Sequence, residues 1–167
     1  MQAIINTKLI LEDGYVWDGA VTFENERIVQ CGKRTEVNVP ADAELIDAQG
    51  LYTAPGFVDI HNHGGGKSLF YQAPETCAEF FLAHGETSVL ATLYCDLTCT
   101  QMLDGLQRIK SAQKTSAGKA IVGIYMEGPY MNGEGSEQKY ILWNGAIKVE
   151  EYRPLIDAMR GFARIWA

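Results

Sequence analysis

Along residues 1–54 the apolar positions fall in short runs rich in β-formers: "AIINTKLIL", "VWDGAVTF", "RIVQCG" and "AELIDAQGLYTA". Turn signals at Asp13-Gly14, Asp18-Gly19, Glu24-Asn25 and Cys31-Gly32 separate or interrupt them, so this part reads as all-β. The strands are few, short and apolar on both faces, and a segment of this size struggles to close a core unaided. From Pro55 the pattern changes to strand and helix in alternation, the signature of a parallel sheet with crossover helices. "GFVDIH" is the first strand. "PETCAEFFLAHG" follows as a helix with Pro74 and Glu75 in its first turn, Cys77, Phe80, Phe81 and His84 at helical spacing, and Gly85 as its stop. "TSVLATL" is a second strand. Thr98 caps a helix whose apolar face is Met102, Leu103, Leu106 and Ile109, and "AIVGIYME" is a third strand. After it comes the irregular stretch "GPYMNGEGSEQKYILWNGAI", of a length uncommon unless it serves a site. Tyr152, Leu155, Ile156 and Met159 mark a third helix, with Pro154 expected in its first turn, and "GFARIWA" reads as a fourth, buried strand.

Four parallel strands with right-handed crossovers fit either an open sheet or half of an eight-stranded barrel. The absence of a closing element after Trp166 favours the barrel and a truncated chain. Composition sets further bounds. The chain is 47% hydrophobic and 21% charged, as expected of a globular protein. With 14 basic against 21 acidic residues, and no basic cluster longer than Lys33-Arg34, nucleic acid is not an expected partner. No apolar run approaches the roughly 20 residues that span a bilayer, and charges interrupt the N-terminal stretch where a signal peptide would be continuous. No membrane partner is expected, and the location is read as cytoplasmic. Cys31, Cys77, Cys95 and Cys99 form no CxxC pair. Cys95 and Cys99 are four apart, as some zinc ligands are, but lack a second pair, so free and mostly buried thiols are the better reading.

Candidate chemistry centres on "GFVDIHNHGGG". In a strand, Asp59, His61 and His63 share one face and Val58, Ile60 and Asn62 the other. At the C-terminal end of a barrel strand, two imidazoles at this spacing can converge on one divalent cation, and Gly64, Gly65 and Gly66 would remove side chains where substrate approaches. The alternative is one satisfied and one exposed histidine before a flexible loop. Glu127 ends the third strand on the same rim, where a carboxylate needs a cation, an arginine or hydrogen-bond donors; alone it could equally be a surface residue opening a loop. His84 is expected to cap its helix. Thr92 and Cys95 reach the rim without assigned chemistry. Tyr130, Tyr140 and Trp143 could wall a pocket or hold the long loop down.

With "GLYTAPGFVDIHNHGGG", "HGETSVLATL" and "GIYMEGPYMN" in this order behind a β-rich segment, the chain resembles the amidohydrolase superfamily, and specifically its N-acetylglucosamine-6-phosphate deacetylases. The "PGF[IV]D.H.HG" pattern is shared with dihydroorotases and hydantoinases, whereas "EGPY" is the more specific mark. The resemblance implies an α/β fold. Residues 1–54 would be the N-terminal portion of a small composite β-sandwich, and residues 55–167 the first half, about four βα units, of a truncated TIM-type (β/α)8 barrel. It implies a metal-dependent hydrolase that removes the acetyl group from N-acetylglucosamine 6-phosphate, with His61, His63 and Glu127 as ligands of one centre. The metal is expected to be zinc, with iron, manganese, cobalt or nickel open. Two further histidines, the general acid/base aspartate and most of the sugar-phosphate contacts would come from beyond Ala167 and partly from the second subunit of a homodimer. The fragment alone is therefore expected to be inactive. One departure is the lack of the histidine that many relatives carry soon after "EGP"; no histidine follows His84. Two alternatives stand beside this reading. A fragment of a cyclic-amide hydrolase would use a carboxylated lysine on the fourth strand, which "GFARIWA" does not offer. A non-catalytic α/β domain would need to dimerise through its open edge.

Overall fold

The computed structural model describes residues 1–131, 142–143 and 146–167. They form two compact units, Met1–Pro55 and Gly56–Ala167.

The first unit is a five-stranded sheet of β1 (Gln2–Leu11), β2 (Gly14–Glu24), β3 (Arg27–Lys33), β4 (Glu44–Asp47) and β5 (Tyr52–Thr53). Its order is β3-β2-β1-β4, with β5 also on β1; β1, β2 and β3 are antiparallel neighbours, while β4 and β5 run parallel to β1. The β2–β3 hairpin turns one residue later than expected. Glu24 pairs with Arg27, and Asn25 and Glu26 both take positive φ, as a two-residue turn matching strand twist requires. Thr7 joins the short β5 to the sheet, its hydroxyl 2.7 Å from that of Thr53 and 2.9 Å from the Leu51 carbonyl oxygen. Ala3, Leu9, Ala20, Val21 and Val37 are buried, yet Tyr15, Trp17 and Ile28 lie exposed.

The second unit contains a four-stranded, all-parallel sheet in the order β11-β10-β9-β6. The strands are β6 (Phe57–Asn62), β9 (Glu86–Tyr94), β10 (Ile121–Glu127) and β11 (Ala163–Trp166). Between them lie a small hairpin of β7 (Gly64–Gly65) and β8 (Ser68–Leu69), and helices α1 (Pro74–Ala83), α2 (Cys99–Ala112) and α3 (Val149–Met159). One face of the central strands, carrying Val89, Ala91, Leu93, Ile124 and Met126, joins a single buried cluster with residues of all three helices. Among these are Cys77 and Phe81 from α1, Met102, Leu106 and Ile109 from α2, and Leu155 and Met159 from α3, with Phe70 beside them. Each fully buried side chain of this size contributes about 1.5–3 kcal/mol of apolar transfer. Helix α2 starts where the sequence places its cap. The Gln101 backbone N–H donates to Thr98 Oγ1 at 3.3 Å, and the Thr98 N–H donates to Gln101 Oε1 at 2.9 Å, so each residue satisfies the other's free donor.

Two expectations change. Helix α3 begins at Val149, which puts Pro154 inside the helix rather than in its first turn; Pro154 is exposed, and its missing N–H leaves the carbonyl one turn earlier without that bond. Among the described residues strand β11 pairs with β10 alone and alternates half-buried with exposed residues, Trp166 being 41% exposed, where a buried strand is expected. Strand β6 is the opposite edge, with Phe57 (69%), Val58 (66%) and Ile60 (56%) exposed.

Candidate metal centre

In a parallel ladder, paired residues project to the same face of the sheet. Tyr125 pairs with Thr92 and Glu127 with Tyr94, so β9 and β10 set Thr92, Tyr94, Tyr125 and Glu127 on one face, opposite the buried cluster. The two histidines reach this face from the end of β6 through an irregular strand end. The register shifts between Asp59 and Asn62, and strict alternation fails there. The Asp59 carboxylate accepts from the His61 backbone N–H at 2.9 Å and from Asn62 Nδ2 at 2.7 Å, although alternation would send Asp59 and Asn62 to opposite faces. Asn62 is in turn fixed to β9, its N–H donating to the buried Thr92 Oγ1 at 3.0 Å. Its own Oδ1 accepts from the Gly64 N–H at 3.0 Å. Thr92, a rim residue without assigned chemistry in the sequence, thus anchors the segment between the histidines.

His61 Nε2 and His63 Nε2 each lie 3.2 Å from the same atom, Glu127 Oε2. Glu127 is the best covered of the three, its side chain 14% exposed, while the imidazoles open to solvent. Ligand atoms from His61, His63 and Glu127 all fall within 4.8 Å of one another, and among the described residues they form the only such group of three. Aromatic rings flank both imidazoles. Tyr125 stacks on His61 with centroids 4.2 Å apart and planes 10° apart, and Tyr94 meets His63 edge-on at 5.1 Å and 85°. Neither tyrosine was singled out from the sequence. The available signal was position: Tyr125 stands two residues before Glu127 on one strand, hence on the same face.

Close by, burial raises the pKa of Asp96, partly offset by the charge of His63. Burial likewise pushes the Cys95 thiol up. All four cysteines are free. Two of the three glycines after His63 are required by the packing of the chain itself. A Cβ on Gly64 would lie 2.1 Å from the Ser68 carbonyl oxygen, and one on Gly65 would lie 2.3 Å from the Phe80 ring. Gly64 and Gly65 pair with Leu69 and Ser68, and the Phe70 N–H donates to the His63 carbonyl oxygen at 3.0 Å. This hairpin carries the chain from His63 to the buried Phe70.

His84 is away from this group. It closes α1, with Nδ1 2.7 Å from the Phe80 carbonyl oxygen. Tyr130 and Trp143 each hold a position through hydrogen bonds of their own: the Tyr130 hydroxyl donates to Glu151 and accepts from the Lys148 N–H, and Trp143 Nε1 donates to the Leu97 carbonyl oxygen at 2.7 Å. Tyr140 lies outside the described residues. No described helix is long and apolar enough to cross a membrane.

No family model matches the chain. Among curated proteins it is similar to the N-acetylglucosamine-6-phosphate deacetylase of Bacillus subtilis, 27% identical over 98% of this chain and 41% of that protein. It is also similar to adenine deaminase 1 of Desulfotalea psychrophila, 31% identical over 77% of this chain and 22% of that protein. Among solved structures, the N-acetyl-D-glucosamine-6-phosphate deacetylase of Mycobacterium smegmatis superposes with a TM-score of 0.72 at 23% identity, covering 99% of this chain and 46% of that one. The chain therefore spans less than half the length of each of these proteins. In sequence and in fold it resembles the N-acetylglucosamine-6-phosphate deacetylases of the amidohydrolase superfamily, the resemblance read from its own motifs.

Proposed function

We propose that these residues are part of a metal-dependent amidohydrolase that removes the acetyl group from N-acetylglucosamine 6-phosphate. The observation that carries the reading is the convergence of two imidazole nitrogens on one carboxylate oxygen at the C-terminal end of a parallel sheet. Donors tetrahedrally arranged around one small cation, each about 2.0–2.1 Å from it, stand roughly 3.3 Å apart. The two 3.2 Å separations suit such a set, and two imidazoles with a carboxylate are a common donor combination for zinc. His61, His63 and Glu127 would hold the metal, zinc first among the divalent ions. The two parts of the sheet assignment belong to the same reading: residues 55–167 as βα units of a (β/α)8 barrel, residues 1–54 as part of a composite β-sandwich.

When bound, a divalent cation in such a site polarises the amide carbonyl and makes water acidic enough to ionise near neutral pH. The chain's own residues contribute placement. Asp59 and Thr92 fix the backbone on either side of His61, and the Gly64–Gly65 hairpin fixes His63. Glu127, held on β10 and largely covered, brings the negative charge that a cation at this rim requires. The proton to the leaving amine would come from an aspartate outside this stretch, and the sugar-phosphate contacts from elsewhere in a homodimer. No lysine stands on β11, which carries Arg164, so the lysine-bridged arrangement of cyclic-amide hydrolases has less support.

The test is turnover by the full-length protein, read as acetate release from N-acetylglucosamine 6-phosphate and N-acetylgalactosamine 6-phosphate, as ring opening of dihydroorotate and hydantoin, and as ammonia release from adenine. Turnover of a phosphorylated N-acetyl sugar is expected. Turnover of a cyclic amide or of adenine, with none of either sugar, would refute the proposal.

A further inference from the structure

We infer that Tyr125 is a positioning residue for His61, an inference that rests on the metal-site reading above. The imidazole of His61 is attached through a torsion with a broad preference, so backbone placement alone does not fix the plane in which its ring meets the site. Its side chain is 40% exposed, which leaves room for the ring to turn. Histidine ligands are usually oriented by a hydrogen bond at the second ring nitrogen. Among the described residues the ring of His61 has instead one polar partner, Glu127 at Nε2, and two ring neighbours, His63 at 5.3 Å and Tyr125 at 4.2 Å. The two ring planes are nearly parallel, at 10°, so the phenol covers one imidazole face and a ring tilted out of that plane would collide with it or lose the stack. The contact spans a strand. Tyr125 is on β10 and His61 on β6, with β9 between them, and the position on β9 paired with Tyr125 is the small Thr92. Because Tyr125 and Glu127 are two apart on one strand, a single rigid element sets both the carboxylate and the orientation of the imidazole that meets it.

The test measures Co(II) affinity by competition with a chelator, together with the Co(II) absorption spectrum, in the full-length protein. The variants are Tyr125→Phe, Tyr125→Leu and Tyr125→Gln, with His61→Ala as reference and circular dichroism to follow folding. An aromatic stack of this kind corresponds to roughly a 2- to 12-fold change in affinity. Tyr125→Phe should bind within about 2-fold of the parent, because it keeps the ring face. Tyr125→Leu and Tyr125→Gln should bind more weakly by the larger factor, with an altered Co(II) spectrum. Parental affinity and spectrum in either folded non-aromatic variant, with metal lost in His61→Ala, would overturn the positioning role and leave the site standing. Unchanged metal binding in His61→Ala would overturn the site and this role with it.

Discussion

A Gly64→Ala substitution would place a Cβ 2.1 Å from the Ser68 carbonyl oxygen and 2.7 Å from Leu69 Cα. Both are backbone atoms, so no rotamer change relieves the overlap, and the hairpin must part by at least about 1.3 Å to reach ordinary contact distance. Overpacking of this kind costs about 1–3 kcal/mol. Weakening the Phe70 N–H bond to the His63 carbonyl oxygen adds about 0.5–1.5 kcal/mol, so a loss of about 1.5–4.5 kcal/mol is expected. Gly66→Ala is the control. Gly66 has φ of +63°, but its nearest Cβ contact is 3.5 Å, so the cost should be the left-handed backbone alone, roughly 1–2 kcal/mol. Urea unfolding followed by tryptophan fluorescence gives the ranking. Because Gly64 follows His63 directly, the opened hairpin should also displace that imidazole, and metal titration should show weaker binding in Gly64→Ala but not in Gly66→Ala. A Gly64→Ala protein as stable as the parent, or less damaged than Gly66→Ala, would refute the packing role assigned to this glycine.

Thr98→Ala should lower stability by about 1 kcal/mol through loss of the reciprocal cap on α2, with Thr98→Ser retaining most of it; thermal melting of the two variants checks this. Thr92→Val preserves shape but removes the acceptor of the Asn62 N–H. It should cost about 1–3 kcal/mol and weaken metal binding, and equal affinity in chelator competition would count against the anchoring role. The Tyr130 hydroxyl and the Lys148 ammonium hold the Glu151 carboxyl below the usual carboxylate range. The stability that Glu151 contributes is then fully present above its unfolded pKa and is lost as pH falls through its depressed folded value. Glu151→Gln should flatten the acid limb of a stability profile, and an unchanged limb would contradict the coupling.

The regular elements were legible because each has its own local cause. Thr98 and Gln101 announce the start of α2, and Met102, Leu106 and Ile109 repeat on the side that meets the sheet. Val89, Ala91 and Leu93 alternate on the covered face of β9. The histidine pair and Glu127 were legible as ends of strands in one sheet, a placement that needs no knowledge of side-chain torsions. What escaped depends on contacts between segments. The two-residue strands β7 and β8 are too short to show a period, so the close packing of Gly64 and Gly65 leaves no sign in the sequence. The irregularity at Asp59 and Asn62 follows from a side-chain bond that competes with alternation, and the aromatic flanks of the histidines follow from three strands lying side by side. Pro154 was misplaced because α3 starts at Val149, with no side-chain cap to mark it.

The most direct measurement is the metal content of the purified full-length protein by inductively coupled plasma mass spectrometry, beside the His61→Ala/His63→Ala double variant and Glu127→Gln. Stoichiometric divalent metal in the parent, lost in the double variant and reduced in Glu127→Gln with folding retained, is the expected result. Equal metal content in the parent and the double variant would contradict a site built from His61, His63 and Glu127.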